Sequence, residues 1–444
     1  MGRCAVSTQK QKRPFALRAL AAFAGTLAIL FVLLLAAYAL PGERVRQHVY
    51  DSARMIQNEG LYPEYLGFKL FQMDNYTDTL MLFEAASADE LPPLQAMMTN
   101  TAYNVDNFET LADDLAWYIE KDWSTGAQRT DAPALEPFSY ARYWHGYLIW
   151  LRPLLLLMPY TGVRIVQYIV LFALLAVVLV QLRRRCGLRA AVWFAVSQLA
   201  VSVWFVPHQV QYFTCFMIAY AGCAWVLAKP RRSDVLCLGL LVLGTATAFC
   251  DLLVTPIITL GLPLTCWLLE PQQRLRGGVP QCALAVGGSL CWGTGYALCW
   301  AGKWALAGAV TNNNVLADAL HQAEVRTTAD TWHGMELTWR NIFIFLYDTL
   351  NSRHLFWPAL AVLAVLIALF ILSIRSKTAL VRALPLALTT CMTPAWFVLL
   401  RTHSIQHGWF TWRALGLTVF AGLAFLYYAC DLRAARRRLQ KGSI

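Results

Sequence analysis

The chain has 444 residues, 58% of them hydrophobic, and a positive mean hydropathy. That composition points to a polytopic membrane protein rather than a water-soluble enzyme. The formal charge of +11 would suit nucleic acid only if the basic residues formed an exposed polar surface. They sit instead in short connections: Arg183–Arg185, Lys229–Arg232, Arg274–Arg276, Arg375–Lys377 and Arg433–Lys441. Such clusters mark cytoplasmic loops and argue against nucleic acid as a partner. The cysteines fall almost all inside apolar runs and show no CxxC spacing, so they predict neither a disulfide framework nor a zinc site.

In chain order, Met1–Arg13 carries four basic residues before the apolar run Phe15–Leu40, which places the amino terminus in the cytoplasm. Ala37-Tyr38-Ala39 resembles a signal-peptide cleavage site, but the run is longer than a signal peptide's apolar core of roughly 7–15 residues. Residues 1–40 are therefore read as a cytoplasmic start and a retained first helix. Pro41–His145 is polar and follows as a large external loop. Leu148–Met158 is flanked by Tyr and Trp and reads as an interfacial or re-entrant helix, though segment 143–160 could instead cross; it closes a unit over 41–160. A helical bundle occupies 161–300, with predicted spans Val163–Leu182, Leu188–Val206, Val210–Ala228, Val235–Phe249, Leu252–Leu269 and Val279–Trp300. A second external loop covers 301–355. The unit 356–444 holds Phe356–Ile374, Leu380–Leu400, a last helix from near Trp409, and a basic cytoplasmic tail. The expectation is an all-α chain of about ten transmembrane helices with both termini inside the cell membrane.

With that topology all eight histidines fall on the outer side. Histidine is not sorted by the positive-inside rule, so its one-sidedness predicts a polar site there. Asp74 and Asp78, four residues apart, would share one face of a helix, and either could serve as a general base. The plainer role for both is turn-making and helix capping. Asn75-Tyr76-Thr77 between them is also a glycosylation sequon. Arg142, His145 and Arg152, set among Tyr and Trp, suit phosphate at headgroup depth, or equally an aromatic belt with snorkelling arginines. In Arg401–Arg413, His403 and His407 share a helical face and Arg413 lies inside the start of the last span. A buried arginine there needs an anion or a carboxylate, and Asp251 is the obvious structural partner. The His pair has no third ligand in the sequence, so no obligatory metal is expected, although a divalent ion bridging Asp74 and a phosphate is compatible with it. The second loop, with Asn312–Asn314, His321, Glu324, Arg326, Asp330, His333 and Glu336, reads as a solvated loop or a lid.

A first helix, a large external loop with an acid, interfacial helices, the aromatic entry Tyr143-Trp144-His145-Gly146 through Leu151-Arg152-Pro153, and a second external loop together resemble the GT-C superfamily. Its members are polytopic glycosyltransferases that use lipid-phosphate sugar donors. The resemblance covers the architecture of the first two thirds of the chain. It implies transfer of a sugar from a polyprenyl phosphate to a glycan or cell-envelope acceptor on the extracytoplasmic face. It passes the role of base to Asp74, with Asp78 in reserve, although Asp51 lies nearer the first helix, where the superfamily keeps its acid. Arg142, His145, His403, His407 and Arg413 would hold the leaving phosphate, with help from Arg152. The alternatives are a transporter or flippase of a lipid-linked or anionic solute, and a non-catalytic envelope-assembly protein.

Overall fold

The computed structural model describes residues 14–67, 71–88, 90–103, 108–114, 137–328, 331–332, 335–336, 338, 347 and 356–431. The basic stretches Met1–Arg13 and Arg433–Lys441, and the loop residues Asp330, His333 and His354, lie outside the described residues. The described residues are all-α apart from two short antiparallel ribbons. Among them, eight helical segments are long and apolar enough to cross a membrane. They are α1 (Phe15–Tyr38), α6 (Tyr160–Cys186), α8 (Val210–Ala228), α9 (Ser233–Cys250), α11 (Gly278–Thr311), α13 (Phe356–Ser373), α14 (Lys377–Leu399) and the run Gly408–Ala429, whose regular part is α16 (Leu415–Ala429). Their ends follow local chemistry. Pro159 precedes α6, Arg183–Arg185 fill its last turn, where cations favour the helix dipole, and the Ser376 hydroxyl caps α14 by accepting the Ala379 N–H at 3.1 Å.

Two further segments expected to span are interrupted. Helices α7 (Leu188–Ala200) and α10 (Ile257–Leu269) have 13 residues each, or about 20 Å against a hydrocarbon core of about 30 Å. Irregular backbone completes each passage: 201–209, with a 3₁₀ turn at Val203–His208, and 251–256. All thirteen residues of α10 are buried, and the break before it is enclosed by protein, where non-helical backbone can find partners.

The connections sort to two ends. At one end Arg18 meets Asp234 at 2.9 Å, Arg185 meets Glu270 at 2.8 Å, and Arg274 donates to the Tyr428 hydroxyl at 2.6 Å. At the other end lie α2 (Glu43–Glu59), α3 (Asn75–Ser87), α4 (Pro93–Thr99), the ribbon Thr101–Tyr103/Pro137–Ser139 and α5 (Leu148–Leu155). Helix α5 rises about 12 Å, too little to cross a membrane. Residues of the Pro41–His145 segment contribute their own apolar cluster here (Val45, Val49, Ile56, Phe83, Met97), packed with Leu34 and Leu148. The six described histidines all belong to this end or to α12 (Val315–Thr328), which packs on α15 (Arg401–Gln406).

Within the bundle, α9 and α11 form the most extensive pair, and glycines set their separation. A Cβ on Gly244 would lie 2.0 Å from the Trp292 carbonyl oxygen, and one on Gly295 would lie 2.2 Å from that of Leu241. Small residues let two backbones approach closely in just this way.

Candidate functional site

The two breaks in the apolar passages, the start of α3 and the segment 400–414 converge at one place. Asp74 is the N-cap of α3: its carboxylate accepts the Thr77 N–H at 2.9 Å and the Thr77 hydroxyl at 2.6 Å. Its own N–H donates to Gln209 Oε1 at 2.8 Å. Asp78, one turn on, reaches across to the N-terminus of α8, where the N–H groups of Val210 and Gln211 donate to it at 3.3 and 3.4 Å. Tyr160 also donates its hydroxyl to Asp78. Asp74 thus caps its own helix, and Asp78 caps α8. Both are buried, and burial raises both, Asp78 to about 7. Asn75 is fully buried and donates to the Gly60 carbonyl at 2.8 Å, which leaves the sequon no room for a glycan.

Beside α3 runs the segment 401–413. Arg413 is 1% exposed. Its guanidinium lies over the Tyr212 ring at 4.5 Å and reaches the Trp409 carbonyl at 3.4 Å, while Nε and Nη2 have no hydrogen-bond partner. No carboxylate among the described residues pairs with it. The expected partner Asp251 is committed elsewhere: its carboxylate accepts the Val254 N–H at 3.1 and 3.3 Å, closing the turn before α10. An isolated buried guanidinium is costly in free energy.

The histidines complete the lining. His403 Nε2 faces the Leu253 carbonyl at 2.9 Å. A carbonyl only accepts, so Nε2 carries the hydrogen. Burial holds the ring neutral, well below the ordinary value of 6.5, and leaves Nδ1 as a buried acceptor with no partner. His407, 4.7 Å away between ring centroids, is lowered to about 4 by burial and by the charge of Arg326 on α12. Phe410 ties the group together: it stacks on His407 at 5.1 Å and lies 6.0 Å from Tyr212, whose phenol is within electrostatic reach of Arg413, Asp74 and Asp78. Tyr62 packs edge-on against Trp409 at 5.2 Å and senses Asp74, so α3 and the 401–413 segment share one wall. Buried polar atoms of Thr402, Thr411 and Trp412 lack hydrogen-bond partners as well. Among the described residues no group of three or more His, Cys, Asp or Glu side chains stands together to hold a metal ion.

Three expected phosphate ligands are engaged elsewhere. Arg152 is fully buried and donates to the carbonyls of Tyr38 and Leu40 at 3.2 and 2.9 Å, capping the C-terminal end of α1. Arg142 pairs with Asp318 of α12 at 3.2 Å and lies over Tyr140 at 4.7 Å. His145 has both ring nitrogens facing oxygens: Nδ1 the Glu84 carboxylate at 2.5 Å and Nε2 the Tyr140 carbonyl at 3.2 Å. It adopts a left-handed φ of 55°, and the next residue must be small, since a Cβ on Gly146 would come within 2.5 Å of the Phe249 carbonyl oxygen.

Sequence reasoning missed the polar network around Glu84. Tyr147 and Asn100 donate to its two oxygens, and Asn100 links it to Lys303, whose Nζ also donates to the Met97 carbonyl at 2.7 Å. It also missed the bidentate Arg164–Glu59 pair at 2.5 and 2.9 Å. Burial opposes ionisation of Glu59, but His208 and Arg164 prevail and pull it down to about 2. The available signal was a lone charge in an apolar run, as in Lys303 within α11.

No family model matches the chain, and neither does any curated protein or solved structure. What its helices and polar end define is an all-α, multi-pass membrane protein with a buried polar cluster around Arg413 at one end of the bundle.

Proposed function

We propose that the chain is a GT-C-type membrane glycosyltransferase of the cell membrane, with about ten crossings and cytoplasmic basic loops. It would move a sugar from a polyprenyl-phosphate donor to an acceptor hydroxyl on the extracytoplasmic face. The observation that carries this reading is the Arg413 guanidinium, buried between spans with two nitrogens unpartnered. A phosphate entering along the helices would satisfy both at once. His403 Nδ1 would accept a hydrogen bond from a donor hydroxyl. Asp74, raised by burial, takes the acceptor's proton as its oxygen attacks the anomeric carbon; the sugar–phosphate C–O bond breaks and lipid phosphate departs, its charge held by Arg413. In this reading Arg142, through Asp318, positions α12 over the site, Arg152 and His145 brace its frame, and His407 lines it.

A second reading, binding and movement of a lipid-linked or anionic solute without chemistry, has two observations behind it. Two apolar passages are interrupted beside the site, as in many transporters, and both carboxylates already cap helices. The test is purified protein in proteoliposomes supplied with polyprenyl-phosphate sugars and a panel of glycan acceptors. Glycosylated product that disappears in Asp74→Asn while donor binding persists supports transfer. Donor translocated across the bilayer with no product, abolished by Arg413→Gln, gives the second reading instead.

A further inference from the structure

A cavity of about 330 Å³ opens at the opposite, basic end of the bundle. It lies between the C-terminal ends of α10 and α16 and the N-terminal ends of α11 and α14. The cavity lines α14 from Ser376 to Leu386, while Ala414, beside Arg413, meets Thr393 further along the same helix, so the two places lie at different levels of it. Three guanidiniums line it, from Arg274, Arg375 and Arg382, and among the described residues no carboxylate does. Glu270, which could have offset Arg274, is taken by Arg185 at 2.8 Å.

The arginines are held in different ways. Arg274 lies flat on the Tyr428 ring at 4.8 Å and donates to its hydroxyl, leaving a buried Nε without a partner. Arg375 donates to the Cys430 carbonyl. Arg382 is exposed at the mouth. Gln281, 4% exposed, lines the same cavity with Oε1 unpartnered. The first turns of α14 and α11 open onto this space beside the C-terminal ends of α10 and α16, so the helix dipoles offset one another and the net positive charge is that of the three arginines. The remaining wall is apolar, with Leu268, Pro385 and Leu386.

We propose that this cavity is a phosphate-binding site. Three like charges gathered in one concavity repel one another unless an anion joins them, and a guanidinium set matches phosphate oxygens in geometry as well as charge. Its place at the ends of spanning helices, with one apolar wall, fits an anionic phospholipid headgroup whose chains lie along the bundle. A soluble phosphate compound offers the same chemistry.

The experiment has two arms, both on the full chain. In the first, protein in mixed nanodiscs is analysed for retained phosphatidylglycerol against phosphatidylcholine; in the second, delipidated protein in detergent is titrated with inorganic phosphate and pyrophosphate. Arg382→Glu, at an exposed position, spares the fold, and Arg274→Gln removes the stacked guanidinium. Each should lower the retained anionic lipid roughly tenfold, the expected scale for losing one charge-assisted contact. Arg413→Gln should leave the Arg382-dependent part of retention unchanged, which separates this site from the proposed catalytic one. Phosphatidylglycerol preference that depends on Arg382 supports the site with lipid as its source. Saturable phosphate binding with the same dependence supports it with a soluble source. Equal retention of both lipids together with no phosphate uptake, or binding indifferent to Arg382→Glu, overturns it.

Discussion

Arg413 and Arg152 are both arginines buried at the polar end, yet their energetics are opposite. Arg152 donates to two carbonyls at the end of α1. Arg413 has two nitrogens with nothing to donate to. Replacing Arg152 by Gln strands buried acceptors and should destabilise the protein by about 1–3 kcal/mol. Replacing Arg413 by Gln removes an uncompensated charge and should leave the melting temperature unchanged or raise it. Thermal melts of the two variants in one detergent check this, and a large loss of stability in Arg413→Gln would show that a structural partner had been overlooked. The sequence revealed Arg413 readily, because a charge inside an apolar run stands out. It could not reveal its partner. The pairing expected with Asp251 fails because Asp251 turns its carboxylate onto the backbone three residues ahead. Glu84 and Lys303, brought together through Asn100, are 219 positions apart, and no local pattern signals that meeting.

For helices, what was legible was what hydropathy encodes. All eight long apolar helices fall where runs of apolar residues place them. The two interrupted passages were read as full spans because their loop residues, such as Val203, Phe205 and Val254, are themselves apolar. Apolar content does not distinguish a helix from enclosed irregular backbone. The α9–α11 contact supplies a test at this scale. Gly244→Ala would drive a methyl into the Trp292 carbonyl, and overpacking of this kind costs about 1–3 kcal/mol. Gly287→Ala, on α11 with nothing within 4 Å, should instead stabilise by up to about 1 kcal/mol through helix propensity. Opposite shifts in melting temperature are expected, and shifts of the same sign would contradict the close approach.

Across the whole molecule, four buried titratable groups near the site set opposed pH dependences. Burial raises Asp74 and Asp78 above 3.8, Asp78 to about 7. Their contribution is therefore full below about pH 4 and is lost as pH rises towards 7. His403 and His407 are lowered from 6.5, His407 to about 4. Their contribution is full above about pH 6.5 and is lost as pH falls towards 4. The wild type should therefore show a shallow pH profile of stability between 4 and 7. His407→Gln should lessen the fall on the acid side, and Asp78→Asn the fall on the alkaline side, both read as melting temperature against pH. Identical profiles in all three proteins would mean that these groups titrate as they do in water.

The enclosure of α10 also bears on how the chain is made. Thirteen apolar residues are too few to be released sideways from a translocon as an independent span, and in the finished protein none of them keeps an exposed face for lipid. The segment must be retained beside α8 and α9 while the chain is still being synthesised, and sealed only when α14 and α16 arrive more than a hundred residues later. The polar turn at Asp251 thus waits for His403, made about 150 residues later, to pack beside it. Assembly of the proposed catalytic end follows the synthesis of the 401–413 segment.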